Sequence, residues 1–173
     1  TPNPSVDETI ALSEHLERGA VHRVATTTSQ SGGKGVNISR ASVAAGEPSV
    51  AVLPADADDP FVLELAASGI ELRTVPTGGA VRVNVTIAEP DGTTTKLNSP
   101  GTEITAAVLD RLTAELEELA VGADWTVLAG SLPPGAPVDW YAALAARLRA
   151  RGTRVAVDTS DAPLKALVAA LPG

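Results

Sequence analysis

Gly32-Gly33-Lys34-Gly35-Val36-Asn37-Ile38-Ser39-Arg40 runs on to Gly46 and then to Ser49-Val50-Ala51-Val52-Leu53, and this stretch decides how the rest of the chain is read. Glycines around a lysine let backbone N–H groups come close to a ligand. The pattern from Val36 to Ala45 is helical, and Gly46 stands where a left-handed C-terminal cap belongs. Residues 49–53 then read as a short buried strand. A helix start carries unsatisfied N–H donors and a partial positive charge, which favour oxyanions and sugar hydroxyls. The stretch points to a small phosphorylated or polyhydroxylated ligand, although its spacing suits a plain tight turn into a helix equally well. It is not a P-loop, because Gly35 follows Lys34. It is not a dinucleotide fingerprint either, because Ile38 occupies the place of the third glycine.

Outward from this stretch, strands and helices alternate. Thr1-Pro2-Asn3-Pro4 is an extended turn held by two prolines. Residues 8–13 and 20–29 read as strands joined through Glu17-Arg18-Gly19. Asp59-Pro60 opens a helix that Ser68-Gly69 closes, and a strand follows over 70–75. Residues 80–88 and 93–98 flank Asp91-Gly92, a hairpin signal. Val81, Val83, Val85 and Ile87 alternate there with Arg82, Asn84 and Thr86, giving one apolar and one polar face. A helix is predicted over 104–120 with Ile104, Val108, Leu112, Leu116 and Leu119 in one stripe. Further elements are a strand over 125–129, a rigid loop Gly130–Gly135, a helix over 137–151, a strand over 153–157 and a helix over 162–171. The alternation predicts an α/β fold: a parallel sheet flanked by helices. The polar strands at about 8–29 and 80–98 do not fit that layer and read as a small β-sheet lid.

The 173 residues are 44% hydrophobic but only 2% aromatic, so the core must come from Ala, Val, Leu and Ile. That length suffices for one domain with a proper core. A net charge of −8 with no basic run argues against nucleic acid. The lack of cysteine excludes disulfides and thiolate chemistry. No apolar run of membrane length and no signal peptide appears, so no membrane partner is expected and the default location is the cytoplasm. The lack of methionine predicts that Thr1 is not the native start and that the chain is a portion of a longer one.

Several side chains carry candidate chemistry. Asp7 can accept hydrogen bonds from two sugar hydroxyls, or serve as a turn aspartate. Arg82 can clamp a phosphate with its planar fork, or be a solvated edge charge. Asn84 shares its face. Ser131 lies in a loop at the edge where α/β sheets bind ligands, and Asp158 ends a strand at the same edge. His15 and His22 have no metal-ligand spacing and no triad partner, so no metal site is expected.

Seven segments occur in order that together resemble the PfkB, ribokinase-like family of carbohydrate kinases. They are Thr1–Asp7, Val21–Val24, Gly32–Arg40, Val81–Asn84, Lys96–Gly101, Gly130–Gly135 and Val157–Ser160. The Thr-Pro-Asn-Pro opening and the lysine among the glycines favour the phosphosugar kinases of that family. The resemblance implies a ribokinase-like sheet with a lid, truncated at both ends, as one incomplete domain over 1–173. It implies transfer of the γ-phosphoryl of MgATP to the 6-hydroxyl of fructose 1-phosphate, with fructose 6-phosphate and tagatose 6-phosphate as alternative acceptors. Asp7 and Asn37 would bind the sugar, Gly32 and Gly33 would let it approach, and Lys34 and Arg82 would hold its phosphate, with Asn84 and Ser131 on the same side. The lid would also form a homodimer. The family's catalytic base and most of its nucleotide site would lie beyond residue 173, so no catalytic residue is expected here and the segment alone should not turn over. The other class of reading is a non-catalytic module that binds a sugar phosphate or dimerises.

Overall fold

The computed structural model describes residues 1–170. Its elements, in chain order, are β1 (Ser5–Leu12), β2 (Val24–Gly32), α1 (Lys34–Ala44), β3 (Val50–Pro54), α2 (Pro60–Ala67) and β4 (Glu71–Val75). Then come β5 (Arg82–Ala88), β6 (Thr94–Asn98), α3 (Ala106–Leu119), β7 (Trp125–Ala129), α4 (Trp140–Ala150), β8 (Arg154–Asp158) and α5 (Asp161–Ala170). The helix expected over 162–171 is α5, and position 171 lies outside the described residues.

The local signals act as their chemistry requires. Gly46 takes φ 84°, its N–H reaches Val43 O and the next N–H reaches Ser42 O, the paired bonds of a Schellman cap. Asp59 caps α2 by accepting from Phe61 N at 2.8 Å. Gly92, at φ 88°, closes the β5–β6 hairpin. Helix α4 starts at Trp140, three residues later than the pattern suggested, because two proline-led turns precede it: Ala136 N donates to Pro133 O at 3.2 Å and Trp140 N to Pro137 O at 3.0 Å. The buried face of α3 is also wider than the predicted stripe. Leu109, Thr113 and Glu117 join it because α4 packs along that side: Thr113 Oγ1 accepts from Trp140 Nε1 at 3.1 Å, and Glu117 pairs with Arg147 and Arg151.

The predicted small sheet is present as a four-stranded layer in the order β2-β1-β5-β6. Strand β1 starts at Ser5, three residues earlier than expected, and this puts Asp7 within a strand rather than in a turn. Strands β1 and β5 run parallel, while the two outer pairings are antiparallel. The parallel layer is also present, but as two pairs, β3–β4 and β7–β8, rather than one continuous sheet. Strands β3 and β7 do not pair. Thr1 and Pro2 share a small cavity with Val52, Val127 and Leu128, and Thr1 N donates to Val52 O at 2.9 Å.

Two apolar clusters hold the parallel half together. One joins α3, α4 and β7 around Leu112, Leu128, Tyr141, Leu144 and Leu148. The other joins α1, α2 and β3 around Val36, Leu53, Phe61 and Leu65. The aliphatic core expected from composition is there, with Phe61, Trp140 and Tyr141 buried in it. Where these clusters end, the C-terminal edge of β7–β8 meets the root of the four-stranded sheet.

Candidate functional site

Strand register gathers the polar candidates. Ser5 pairs with Arg82 and Asp7 with Asn84 across β1–β5, and Asp7 pairs with Gln30 across β1–β2. Side chains alternate along strands, so Asp7, Gln30, Arg82, Asn84 and Lys96 share one face. Val6, Val83, Val85, Ile87 and Leu97 share the other. The sequence alternation thus becomes a polar floor and an apolar back.

Asp7 is exposed and held by short bonds. Its Oδ1 accepts from Ser5 Oγ at 2.9 Å and from Asn84 Nδ2 at 3.1 Å. Among the described residues Asn84 Oδ1 is buried without a partner. Gly32 ends β2 directly against the Asp7 carboxylate, and a Cβ there would overlap it. Gly33, at φ 105°, and Gly35 have Thr1 in the same relation. These glycines let parts of the chain itself approach one another: the space a Cβ would fill is taken by Asp7 and Thr1.

Helix α1 begins at Lys34, two residues before the predicted start, so Lys34 stands in its first turn. Its Nζ donates to Asp158 Oδ1 at 2.8 Å, which ties the glycine segment to the end of β8. Asn37 lies one turn further on and is exposed. Arg82 is half-buried and its donors are engaged: Nη1 to Ser99 O at 2.6 Å, Nε to Pro4 O at 3.3 Å, Nη2 to Asn3 O at 3.3 Å and to Ser131 Oγ at 3.5 Å. Burial lowers the Arg82 pKa, and the Asp7 charge works against that shift. Arg82 therefore pins the root of β5 to the Thr1–Pro4 turn and to the Gly130 loop, with one Nη1 hydrogen left over. An open pocket of about 400 Å³ lies beside it, lined by Arg82, Asn3, Ser131 and prolines 133, 134 and 163.

The structure thus brings together Asp7, Asn84 and Gly32 in one group, Lys34 with Asp158 in a second, and Arg82 with Ser131 in a third. Sequence reasoning missed Asn3, whose Nδ2 donates to Pro100 O at 3.0 Å and Ser131 Oγ at 3.1 Å. It also missed Arg40 and Glu64, which hold Ser31. Arg40 stands three residues after Asn37 on one helix face, a spacing that could have been read; Glu64 is 33 residues away from Ser31 and left no local trace. Among the described residues one side-chain group has metal-ligand spacing, His15, Glu89 and Asp91. It sits at the opposite end of β1 and β5 from Asp7 and Arg82. Among the described residues no helix is long and apolar enough to cross a membrane.

Comparison with known proteins agrees with this architecture. The profile of the pfkB family of carbohydrate kinases matches residues 1–173. The 1-phosphofructokinase of Rhodobacter capsulatus is 40% identical across 98% of this chain and 55% of its own length. That of Xanthomonas campestris pv. campestris is 36% identical across 99% of this chain and 55% of its own length. Phosphofructokinase-2 from Escherichia coli, solved in complex with fructose-6-phosphate, superimposes with a TM-score of 0.89 at 25% identity, over 98% of this chain and 56% of that one. The chain spans about half the length of the relatives it matches. With its whole span inside that match, and with an α/β layer capped by a four-stranded sheet, the chain belongs to the pfkB family of carbohydrate kinases.

Proposed function

We propose that the complete protein is a cytoplasmic sugar-phosphate kinase that transfers the γ-phosphoryl of ATP to the 6-hydroxyl of fructose 1-phosphate, and that residues 1–173 supply the acceptor side. The observation that carries the reading is the polar floor. Asp7, Asn84 and Arg82 lie in register on one face, beside the glycine segment that leads into α1. The named activity of the Rhodobacter and Xanthomonas relatives supports the choice of acceptor.

In this reading Asp7 accepts from sugar hydroxyls, with Asn84 and Ser5 fixing its carboxylate. Asn37 donates from the other side. Lys34 leaves Asp158 for the sugar phosphate, and Arg82 exchanges its long contacts, at 3.3–3.5 Å, for phosphate oxygens. Such groups position and neutralise, which is the protein's main work in phosphoryl transfer. MgATP supplies the phosphoryl group and a cation to screen it. The His15–Glu89–Asp91 group, at the far end of the strands, does not suit that cation. We assign the nucleotide site and the catalytic base to the part of the relatives' length that this chain does not span.

The apolar back of the four-stranded sheet leaves Val24, Val83 and Leu97 exposed, and a second copy packed there through this lid would cover them. The superposition on an enzyme bound to fructose-6-phosphate favours a second reading, with that sugar as acceptor. A coupled assay of the complete protein with fructose 1-phosphate, fructose 6-phosphate and tagatose 6-phosphate separates the two. Ordinary turnover is expected with the first sugar and none from the 173 residues alone. Absence of turnover with all three sugars, with retained phosphosugar binding, would leave the non-catalytic module as the function.

A further inference from the structure

Ser31, fully buried one residue before Gly32, is held from two sides. From α2, the Glu64 carboxylate accepts from Ser31 N at 3.1 and 3.2 Å and from Ser31 Oγ at 2.6 Å. From α1, Arg40 Nη2 donates to Ser31 O at 2.7 Å, while Nη1 of the same guanidinium donates to Asn37 Oδ1 at 2.9 Å. Among the described residues Arg40 forms no ion pair with a carboxylate, so its fork serves two neutral acceptors. Arginine has no acceptor atom, so the amide face that Asn37 turns toward it must be the oxygen. The Asn37 NH2 is then the end left for solvent or ligand.

We propose that Arg40 is a positioning residue of the acceptor site, bridging the strand that leads into the glycine segment to the Asn37 side chain so that Asn37 turns its NH2 toward the ligand. The inference rests on reading that segment as the acceptor site. It adds a consequence for specificity: at this position the ligand must offer a lone pair, from a hydroxyl oxygen or a phosphate oxygen. A lysine cannot replace Arg40, because a single ammonium lacks the fixed fork that spans the two acceptors.

Steady-state kinetics of the complete protein test this, with fructose 1-phosphate and MgATP varied separately. Arg40→Lys keeps the charge and loses the fork. It should raise KM for the sugar phosphate roughly tenfold, the scale of one hydrogen bond, with kcat and KM for ATP within about twofold. Asn37→Ala should raise the same KM at least as much. In the double variant Arg40→Lys should add nothing, because it acts through Asn37. A lysine variant with the KM of the wild type overturns the proposal. So does a KM increase from Arg40→Lys that persists undiminished in the Asn37→Ala background, which would assign Arg40 to charge or general stability. If Arg40→Lys does not fold, Arg40→Gln takes its place in the cycle with the same two criteria. A wild type that neither binds nor phosphorylates any of the three sugars refutes the functional reading itself; an active wild type with unaffected variants refutes only the role of Arg40.

Discussion

The parallel half and the four-stranded sheet bury themselves by different means. In the parallel half, β3 and β7 place Leu53, Leu128 and Ala129 almost completely out of solvent, and helices cover them. In the four-stranded sheet, seven of the nine residues of β2 are exposed, and most of β1 and β5 is only half-covered. The first layer is held by packing and the second mainly by its backbone ladder. The candidate site occupies the junction, so its polar side chains are fixed to a rigid edge on one side and to a softer sheet on the other.

The contrast breaks first where packing is removed. Leu144→Ala, within the α3–α4–β7 cluster, should cost about 2–5 kcal/mol in urea denaturation, as large cavities do. Leu97→Ala, on the exposed back of β6, should cost less than about 0.5 kcal/mol in a monomer. If the back is a dimer face, the same change should instead weaken association measured by sedimentation. Equal destabilisation at both positions in a monomer would end the distinction between the layers.

The next step down lies at the joint between the layers. Ser31→Ala removes the buried hydroxyl that donates to Glu64 at 2.6 Å. About 1–3 kcal/mol should be lost, and hydrogen exchange should quicken at the end of β2 before it does in β3. Uniform quickening would mean that the two layers open as one unit.

These same residues show what a sequence can display. Gly46, Asp59 and Gly92 act within a few residues of themselves, so caps and turns were legible. So was the face alternation of β5, because period two is a local property. The sequence leaves Asp7 open between a sugar-hydroxyl acceptor and a turn aspartate, because the strand start at Ser5 depends on pairing with β5, more than seventy residues away. At the site, residue types were legible and their engagements were not. Arg82 read as a free clamp because nothing local announces that Asn3, Pro4, Ser99 and Ser131 occupy its donors.

The smallest effect sharpens the comparison most. The Lys34–Asp158 pair crosses the junction, yet both side chains are about half exposed, at 52% and 56%. Exposed pairs of this kind contribute about 0–1 kcal/mol, because water and salt screen them and two long side chains lose freedom. Asp158→Asn should therefore leave the unfolding midpoint almost unchanged and remove what little salt dependence this pair adds. A weak latch is what the proposed function needs: Lys34 can leave Asp158 for a sugar phosphate only if the ion pair costs little to open. Lys34→Met should likewise leave stability within about 1 kcal/mol while raising KM for the sugar phosphate in the complete protein by at least roughly tenfold, as loss of a charge-assisted bond requires. A large stability loss with an unchanged KM would make Lys34 a structural bolt between the two layers and remove it from the acceptor site.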